Sequence, residues 1–339
     1  MMVYRGKRMR VIGTGLICLD IIHKNRAVML MNGGTCANVL TVLAQLGEDA
    51  TVLMPDYYAD EQKAFCYYTL EKMKIDTIHY CKTKKRIPRI IEVYEEDRKH
   101  RFYTKCHKCD RDLLENRFIT EKEAQDLMPQ IMNNDMFFTD RISSGIKYIA
   151  RQFISMNKKV IYEPNSARNL KAVIEMSKLS HVVKFSEDRI SIEKAESIKS
   201  QCIGSALELI IVTQGDRGMR FSYRINENRF SEWIVGPNIA FSEIRDTSGA
   251  GDWLTAGFLH LWNKIEYSMN ENDIFKTLQN ALNLSALCSR VEGAQGAFYD
   301  KELFEDLKRE YHIKLDQRMK IEISDVNEDD VGACDSCLI

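Results

Sequence analysis

Short apolar runs rich in β-branched residues alternate along the chain with longer stretches of helical period. Val11-Ile12-Gly13, Thr51-Val52-Leu53-Met54 and Met136-Phe137-Phe138 read as strands, as do Val160-Ile161-Tyr162, Val182-Val183 and Leu209-Ile210-Ile211-Val212. Residues 36–46, 61–73, 145–157, 189–201 and 274–290 read as helices. Strands with so few polar positions are buried on both faces. The alternation therefore predicts an α/β fold whose mostly parallel central sheet is covered by helices on both sides. Two stretches break the pattern. Residues 21–32 carry no helical period, and 87–105 read as a hairpin: Arg89 to Tyr94, a charged turn Glu95 to Lys99, then His100 to Lys105. On the residues alone, both are surface excursions.

Composition narrows the class. A chain of 339 residues can build one large core with a subordinate subdomain, and no internal repeat divides it. With 45% hydrophobic and 29% charged residues it has the make-up of an ordinary soluble protein. A net charge of −1 gives no electrostatic case for nucleic acid or an anionic membrane as partner. No apolar run is long enough to span a bilayer, and the basic segment Met1 to Arg10 lacks the apolar stretch of a signal peptide. Ten cysteines are scattered, most in apolar surroundings such as Cys18, Cys36 and Cys288. That suits buried thiols in a reducing, cytoplasmic setting better than a disulfide framework.

The chemistry is concentrated in Asp246-Thr247-Ser248-Gly249-Ala250-Gly251-Asp252, followed by the apolar run Leu254 to Leu259. Small residues let backbone N–H groups close on an anion, and a helix starting there adds its positive dipole end. Asp252 lies inside that anion-attracting turn, placed to take a proton from a hydroxyl as its oxygen attacks phosphorus. A tight turn with a capping Asp is the alternative reading of these residues alone.

The seven-residue string resembles the second signature of the ribokinase-like (PfkB-type) carbohydrate kinase family, Asp-Thr-x-Gly-Ala-Gly-Asp. The resemblance implies a ribokinase-like three-layer sandwich over residues 1–320. Lid insertions at about 21–32 and 84–110 would form a small β-sheet over the sugar site, and 321–339 would be an acidic tail. It also gives order to weaker motifs. Gly33-Gly34-Thr35-Cys36-Ala37-Asn38, after Asp20, opens a helix and is similar to the first family motif, in which Asp, Gly and Asn bind sugar hydroxyls. Asp20, Gly33, Gly34 and Asn38 are thus candidate substrate ligands. Glu163-Pro164-Asn165-Ser166-Ala167-Arg168 looks like the family's Asp-x-Asn-x-x-Arg segment near the phosphates, with Glu for Asp. Lys184-Phe185-Ser186 resembles its Lys-x-Asn/Ser segment, and Thr213 to Gly218 its Thr-x-Gly-x-x-Gly. Asn165, Ser186, Thr213, Gly215 and Gly218 are candidate nucleotide contacts, as is Asn283 in the helix before Glu292-Gly293-Ala294.

One position departs from the family. Three residues after Ser186 it usually carries an acid that organises hydrated magnesium, and here that position is Arg189; either Glu187 or Asp188 just before it substitutes, or magnesium is held differently, or activity is reduced. The expectation is an ATP- and magnesium-dependent kinase acting on a small sugar or sugar derivative. Asp252 would be the general base and Gly249, Ala250 and Gly251 the anion hole. A nucleoside kinase, or a non-catalytic nucleotide or sugar sensor on the same scaffold, are the alternatives. By resemblance only, a monovalent cation and a homodimer through the lid belong to the same picture. A separate feature is a pair of Cys-x-x-Cys motifs, Cys106/Cys109 and Cys334/Cys337. Together they could supply a four-thiolate structural zinc site or a zinc-held docking surface; the alternatives are unpaired thiols or disulfides.

Overall fold

The computed structural model describes residues 7–24, 27–94, 100–106, 108–166, 168–239, 244–320 and 323–325. Strand β1 (Arg10–Thr14) is followed by a hairpin of β2 (Cys18–Lys24) and β3 (Ala27–Gly33). Next come α1 (Thr35–Gln45), β4 (Asp49–Asp56), α2 (Glu61–Lys72) and β5 (Ile75–Lys82). A second hairpin pairs β6 (Arg89–Tyr94) with β7 (His100–Tyr103); the turn at 95–99 lies outside the described residues. The chain then alternates through α3 (Glu121–Ile131), β8 (Met136–Thr139), α4 (Ser144–Ser155) and β9 (Lys159–Tyr162). It continues through α5 (Leu170–Ser177), β10 (Val182–Ser186), α6 (Ile192–Gln201) and β11 (Leu209–Thr213). β12 (Met219–Asn226), β13 (Arg229–Phe230) and β14 (Ile234–Val235) precede α7 (Ala250–Lys264), α8 (Glu271–Cys288), α9 (Lys301–Tyr311) and β15 (Ile323–Asp325).

The larger sheet runs β13-β12-β11-β10-β9-β8-β1-β4-β5, with β14 paired to β12. From β11 to β5 every pairing is parallel, and β12 turns back antiparallel on β11. All four residues of β8 are buried, and β10 and β11 are buried up to their last residue. Helices cover both faces, as such apolar strands require. Leu40, Trp253, Phe258 and Leu278 belong to one apolar cluster, and Ile149, Phe153 and Ile198 to the other. The fold is therefore α/β with a mostly parallel central sheet.

A smaller sheet, β15-β3-β2-β6-β7, stands apart from the first. The stretch at 21–32 showed no alternation because β2 is buried from Cys18 through His23, on both faces. This sheet lies over the core at Gly293, where an added Cβ would meet Ile22 Cδ1 and Met31 Sδ, each at 2.9 Å. Its outer strand β15 is part of the C-terminal segment, paired antiparallel to β3. Just before β15 the chain is fastened to the core. The Lys314 and Met319 N–H groups donate to the Gln45 and Phe298 carbonyls, both at 2.9 Å.

One helix starts later than its sequence suggests. Arg189 N–H donates to the Ser186 carbonyl at 3.0 Å, making a turn, and α6 begins at Ile192. Arg189 thus stands at the carboxyl edge of the sheet rather than inside a helix.

β9 and β10 are pinned together at their start by His181, which is 8% exposed and whose Nδ1 accepts from Val160 N–H at 3.0 Å. Burial, then the charge of Lys159, pushes its imidazole down to about 4. The unfolded chain binds a proton near pH 6.5 that the folded chain refuses, so this stability is present at neutral pH and lost as pH falls from 6.5 towards 4. Denaturant unfolding should show a drop of about 2 kcal/mol across that window. The drop should flatten in His181→Asn; an unchanged slope would remove His181 as its source.

Candidate active site

The carboxyl ends of the parallel strands carry nearly every polar side chain of interest, where open α/β sheets hold their ligands. Across them, α7 points its N-terminus at the crevice. Gly249, its N-cap, has φ 75°, and an added Cβ would lie 2.5 Å from that of Ala294, so this position requires glycine. The turn is clamped from several sides. Asp246 accepts from the Ser248 N–H at 2.9 Å and hydroxyl at 2.8 Å, and from the Gly293 N–H at 2.8 Å. The Trp253 indole donates to the Ala294 carbonyl at 2.7 Å and the Ser285 hydroxyl to that of Ala250 at 2.6 Å. Ala250 N–H is committed to the Thr247 carbonyl at 3.2 Å. The donors left facing the crevice at this helix start are the N–H groups of Gly251 and Asp252, for which no described residue supplies an acceptor.

Asp252 is 9% exposed. Asn38, in the first turns of α1, donates from Nδ2 to its Oδ2 at 2.7 Å. Behind Asn38 stands Gln295, whose Nε2 donates to Asn38 Oδ1 at 3.1 Å. On the other side, Glu163, just after β9, accepts from Lys184 Nζ at 2.6 Å and from the Thr255 hydroxyl at 2.8 Å. A Cβ on Gly251 would sit 3.3 Å from Lys184 Nζ, so the glycine lets that ammonium approach the helix start. Charge balance decides the state of Asp252. The nearest ammonium is engaged by Glu163, whose own charge repels a second carboxylate. Burial first, then Glu163, pushes Asp252 up to about 7; the Asn38 hydrogen bond and the charges of Lys184 and Arg189 pull the other way. A carboxyl group titrating there exchanges protons at neutral pH.

The candidate substrate residues lie on the opposite wall. Asp20 on β2 is buried, and a Cβ on Gly33 would fall 1.8 Å from its Oδ2, so Gly33 leaves the space the carboxylate occupies. Gly34, the N-cap of α1, has φ 90° and passes so close to Leu16 that a Cβ would meet its carbonyl oxygen at 2.5 Å. The Gly34 carbonyl accepts from the Asn38 N–H at 2.9 Å, fixing the start of the helix that presents Asn38. The buried Asp140 holds the exit of β1 in place. It accepts from the Leu16 N–H at 2.8 Å and pairs with Arg141 at 2.6 Å.

Towards the other end of the crevice, Ser186 closes β10 in register with Thr213 on β11. Glu187 fastens the following loop: its N–H donates to the Thr213 carbonyl at 2.9 Å, and its carboxylate takes the Gln214 amide at 3.0 Å and the Arg217 guanidinium. Gly215 and Gly218 in that loop have φ 62° and 82°. Asn165 and Asn283 are exposed, on the loop after β9 and on α8. Arg189 is exposed too, and no described residue pairs with it. Cys106 is buried and Cys109 exposed beyond β7, while Cys334 and Cys337 lie outside the described residues. Among the described residues no three His, Cys, Asp or Glu side chains gather to hold a metal. Glu163 and Glu187 are paired with Lys184 and Arg217, and Asp188 beside Glu187 is exposed.

A family model matches residues 9–301, and its description is pfkB family carbohydrate kinase. The chain belongs to the pfkB family of carbohydrate kinases. It is accordingly a phosphotransferase acting on sugar hydroxyls. Fructokinase from Vibrio cholerae O395, solved with fructose, ADP and potassium ion, is similar over 86% of this chain and 95% of its own, with TM-score 0.65 and 19% identity. Ribokinase from Giardia lamblia covers 88% of this chain and 99% of its own, at TM-score 0.69 and 11% identity. Adenosine kinase from Schistosoma mansoni, in complex with 2-fluoroadenosine, covers 85% and 97% at TM-score 0.67 and 14% identity. At these identities the likeness is one of fold. No curated protein matches the sequence. Among the described residues no helix is long and apolar enough to cross a membrane.

Sequence reading passed over Gln295, Thr255 and Asp140. Thr255 stands three residues beyond Asp252 on one helix face, a signal that spacing alone could have supplied.

The raised Asp252 group has a consequence for stability. Between about pH 4 and 7 the folded chain holds a proton that the unfolded chain has lost, so stability from this site is fully present at acid pH and falls as pH rises through 7. Asp252→Asn, neutral throughout, should exceed wild type by roughly 1–4 kcal/mol at pH 8 and match it near pH 4. Urea unfolding at both pH values measures this; an equal gap at both would contradict it.

Proposed function

We propose that this protein is an ATP-dependent kinase that transfers the γ-phosphoryl group to a hydroxyl of a sugar or sugar derivative, with Asp252 as general base. The observation that supports this most is the buried Asp252 carboxyl group, held by the Asn38 amide at 2.7 Å, at the N-terminal start of α7. Asp20, the backbone at Gly33 and Gly34, and Asn38 hold the acceptor's hydroxyls under the smaller sheet. As the acceptor oxygen bonds to the γ-phosphorus, its proton passes to Asp252 and the bond to the leaving ADP oxygen breaks. Asn38 occupies Oδ2, which leaves Oδ1 to receive the proton. The N–H groups of Gly251 and Asp252, with Lys184 beside them, meet the charge on the transferring oxygens. A loose transition state depends more on this placement and field than on a strong base.

The nucleotide lies along Asn165, Ser186, Thr213, Gly215 and Gly218 towards Asn283. Magnesium would supply charge neutralisation to the nucleotide's phosphates here, with the exposed Asp188 beside Glu187 the carboxylate free to face it through water. Arg189 supplies at this edge a fixed positive charge, which phosphate oxygens can accept bidentately.

ADP release with magnesium and ATP, measured against sugars, sugar phosphates and nucleosides with and without potassium, tests the reading. Turnover on one class should fall by about 10²-fold or more in Asp252→Asn. ATP affinity should stay nearly constant; a mutant that keeps most of its turnover would refute the base. Turnover confined to nucleosides would shift the acceptor class. Arg189→Ala should weaken ATP binding about tenfold by calorimetry. An unaltered affinity would take Arg189 out of the nucleotide site.

A further inference from the structure

The side-chain amide of Asn38 can present either of its ends to Asp252, and the choice matters. Its N–H donor favours the ionised carboxylate, and its carbonyl would favour the protonated acid. Nothing in α1 sets the sense. Gln295 does: it is fully buried, with Nε2 3.1 Å from Asn38 Oδ1 and 3.5 Å from Thr41 Oγ1. Its own Oε1 has no hydrogen-bond partner among the described residues, which costs free energy that an apolar side chain would avoid. A glutamine kept under that cost, rather than Leu or Met, points to the donor end as the part that matters. The backbone holding it is anchored by the phosphate-turn motif itself. Gly293 N–H donates to Asp246, and the Ala294 carbonyl accepts from Trp253.

We propose that Gln295 is a positioning residue that fixes the Asn38 amide with its donor end towards Asp252, keeping that carboxylate ready to accept a proton. The charged and titratable groups around Asp252 are Glu163 beyond β9, Lys184 on β10, Arg189 in the following turn, Cys36 on α1 and Cys288 on α8. Gln295 adds no charge to this set. It acts only through the direction of one amide.

The functional part of the proposal rests on Asp252 as the base, and the test separates the two. Aspartate 13Cγ labelling follows the carboxyl titration directly, and loss of one resonance in Asp252→Asn assigns it. In Gln295→Met the midpoint should rise by about one pH unit, as expected when a hydrogen bond to the charged form is lost. In Gln295→Leu, which removes the same donor without adding charge, it should rise by the same amount. The kcat of either variant should fall about five- to tenfold at pH 7 and recover at alkaline pH, with KM for ATP unchanged. Gln295→Leu reads the same quantity should the Met variant fail to fold. Folded variants with an unmoved midpoint, even if less stable, overturn the proposal. Full turnover in Asp252→Asn would instead remove the base while leaving the titration result standing.

Discussion

The Asp252 carboxyl group is held where water hardly reaches it, and much of the molecule is arranged around that constraint. Burial alone would leave Asp252 inertly protonated, and a full ion pair would leave it too weak a base. The structure takes a middle course. Glu163 engages Lys184 at 2.6 Å, so the ammonium screens the site without neutralising Asp252, while Asn38 contributes one neutral hydrogen bond. The sheet makes this possible. Glu163 follows β9 directly and Lys184 lies on the neighbouring parallel strand β10, and the register of the two strands sets their separation. α1 and α7 then bring Asn38 and Asp252 together from 214 positions apart in the chain.

Those distances explain what could be read from the sequence and what could not. The strand–helix alternation was legible because the central strands are buried on both faces, and the Asp246 to Asp252 string because its chemistry is contiguous. The hairpins at β2–β3 and β6–β7 showed as breaks in the helical rhythm. Gln295 showed nothing. Its role depends on a partner 257 residues away, and a buried glutamine looks in sequence like any other polar residue in a loop. The Glu163–Lys184 pair was half visible: each residue lay in a recognised segment, yet only the register discloses that they neutralise one another. The start of α6 was misplaced because periodicity cannot see a turn closed by a backbone hydrogen bond.

Arg189 acquires its meaning in the same way. Sequence alone left Glu187 and Asp188 as candidate substitutes for the acid usual at that position. Glu187 instead clasps the Thr213 to Gly218 loop through Gln214 and Arg217, so its charge is committed to holding that loop. At the carboxyl edge Asp188 and Arg189 both stand exposed, so an acid and a guanidinium lie side by side there, with Glu187 committed elsewhere.

The strand at the far edge of the smaller sheet sets a mechanical limit. β15 pairs with β3 and with no other described strand, so it travels wherever that sheet goes. The chain is fastened to the core at Met319, and only four peptide steps separate that point from Ile323. Fully drawn out, they reach about 14 Å. The smaller sheet is thus on a short leash at this edge, and β15 cannot draw away from Met319 by more than that length, as a page cannot leave the thread that binds it.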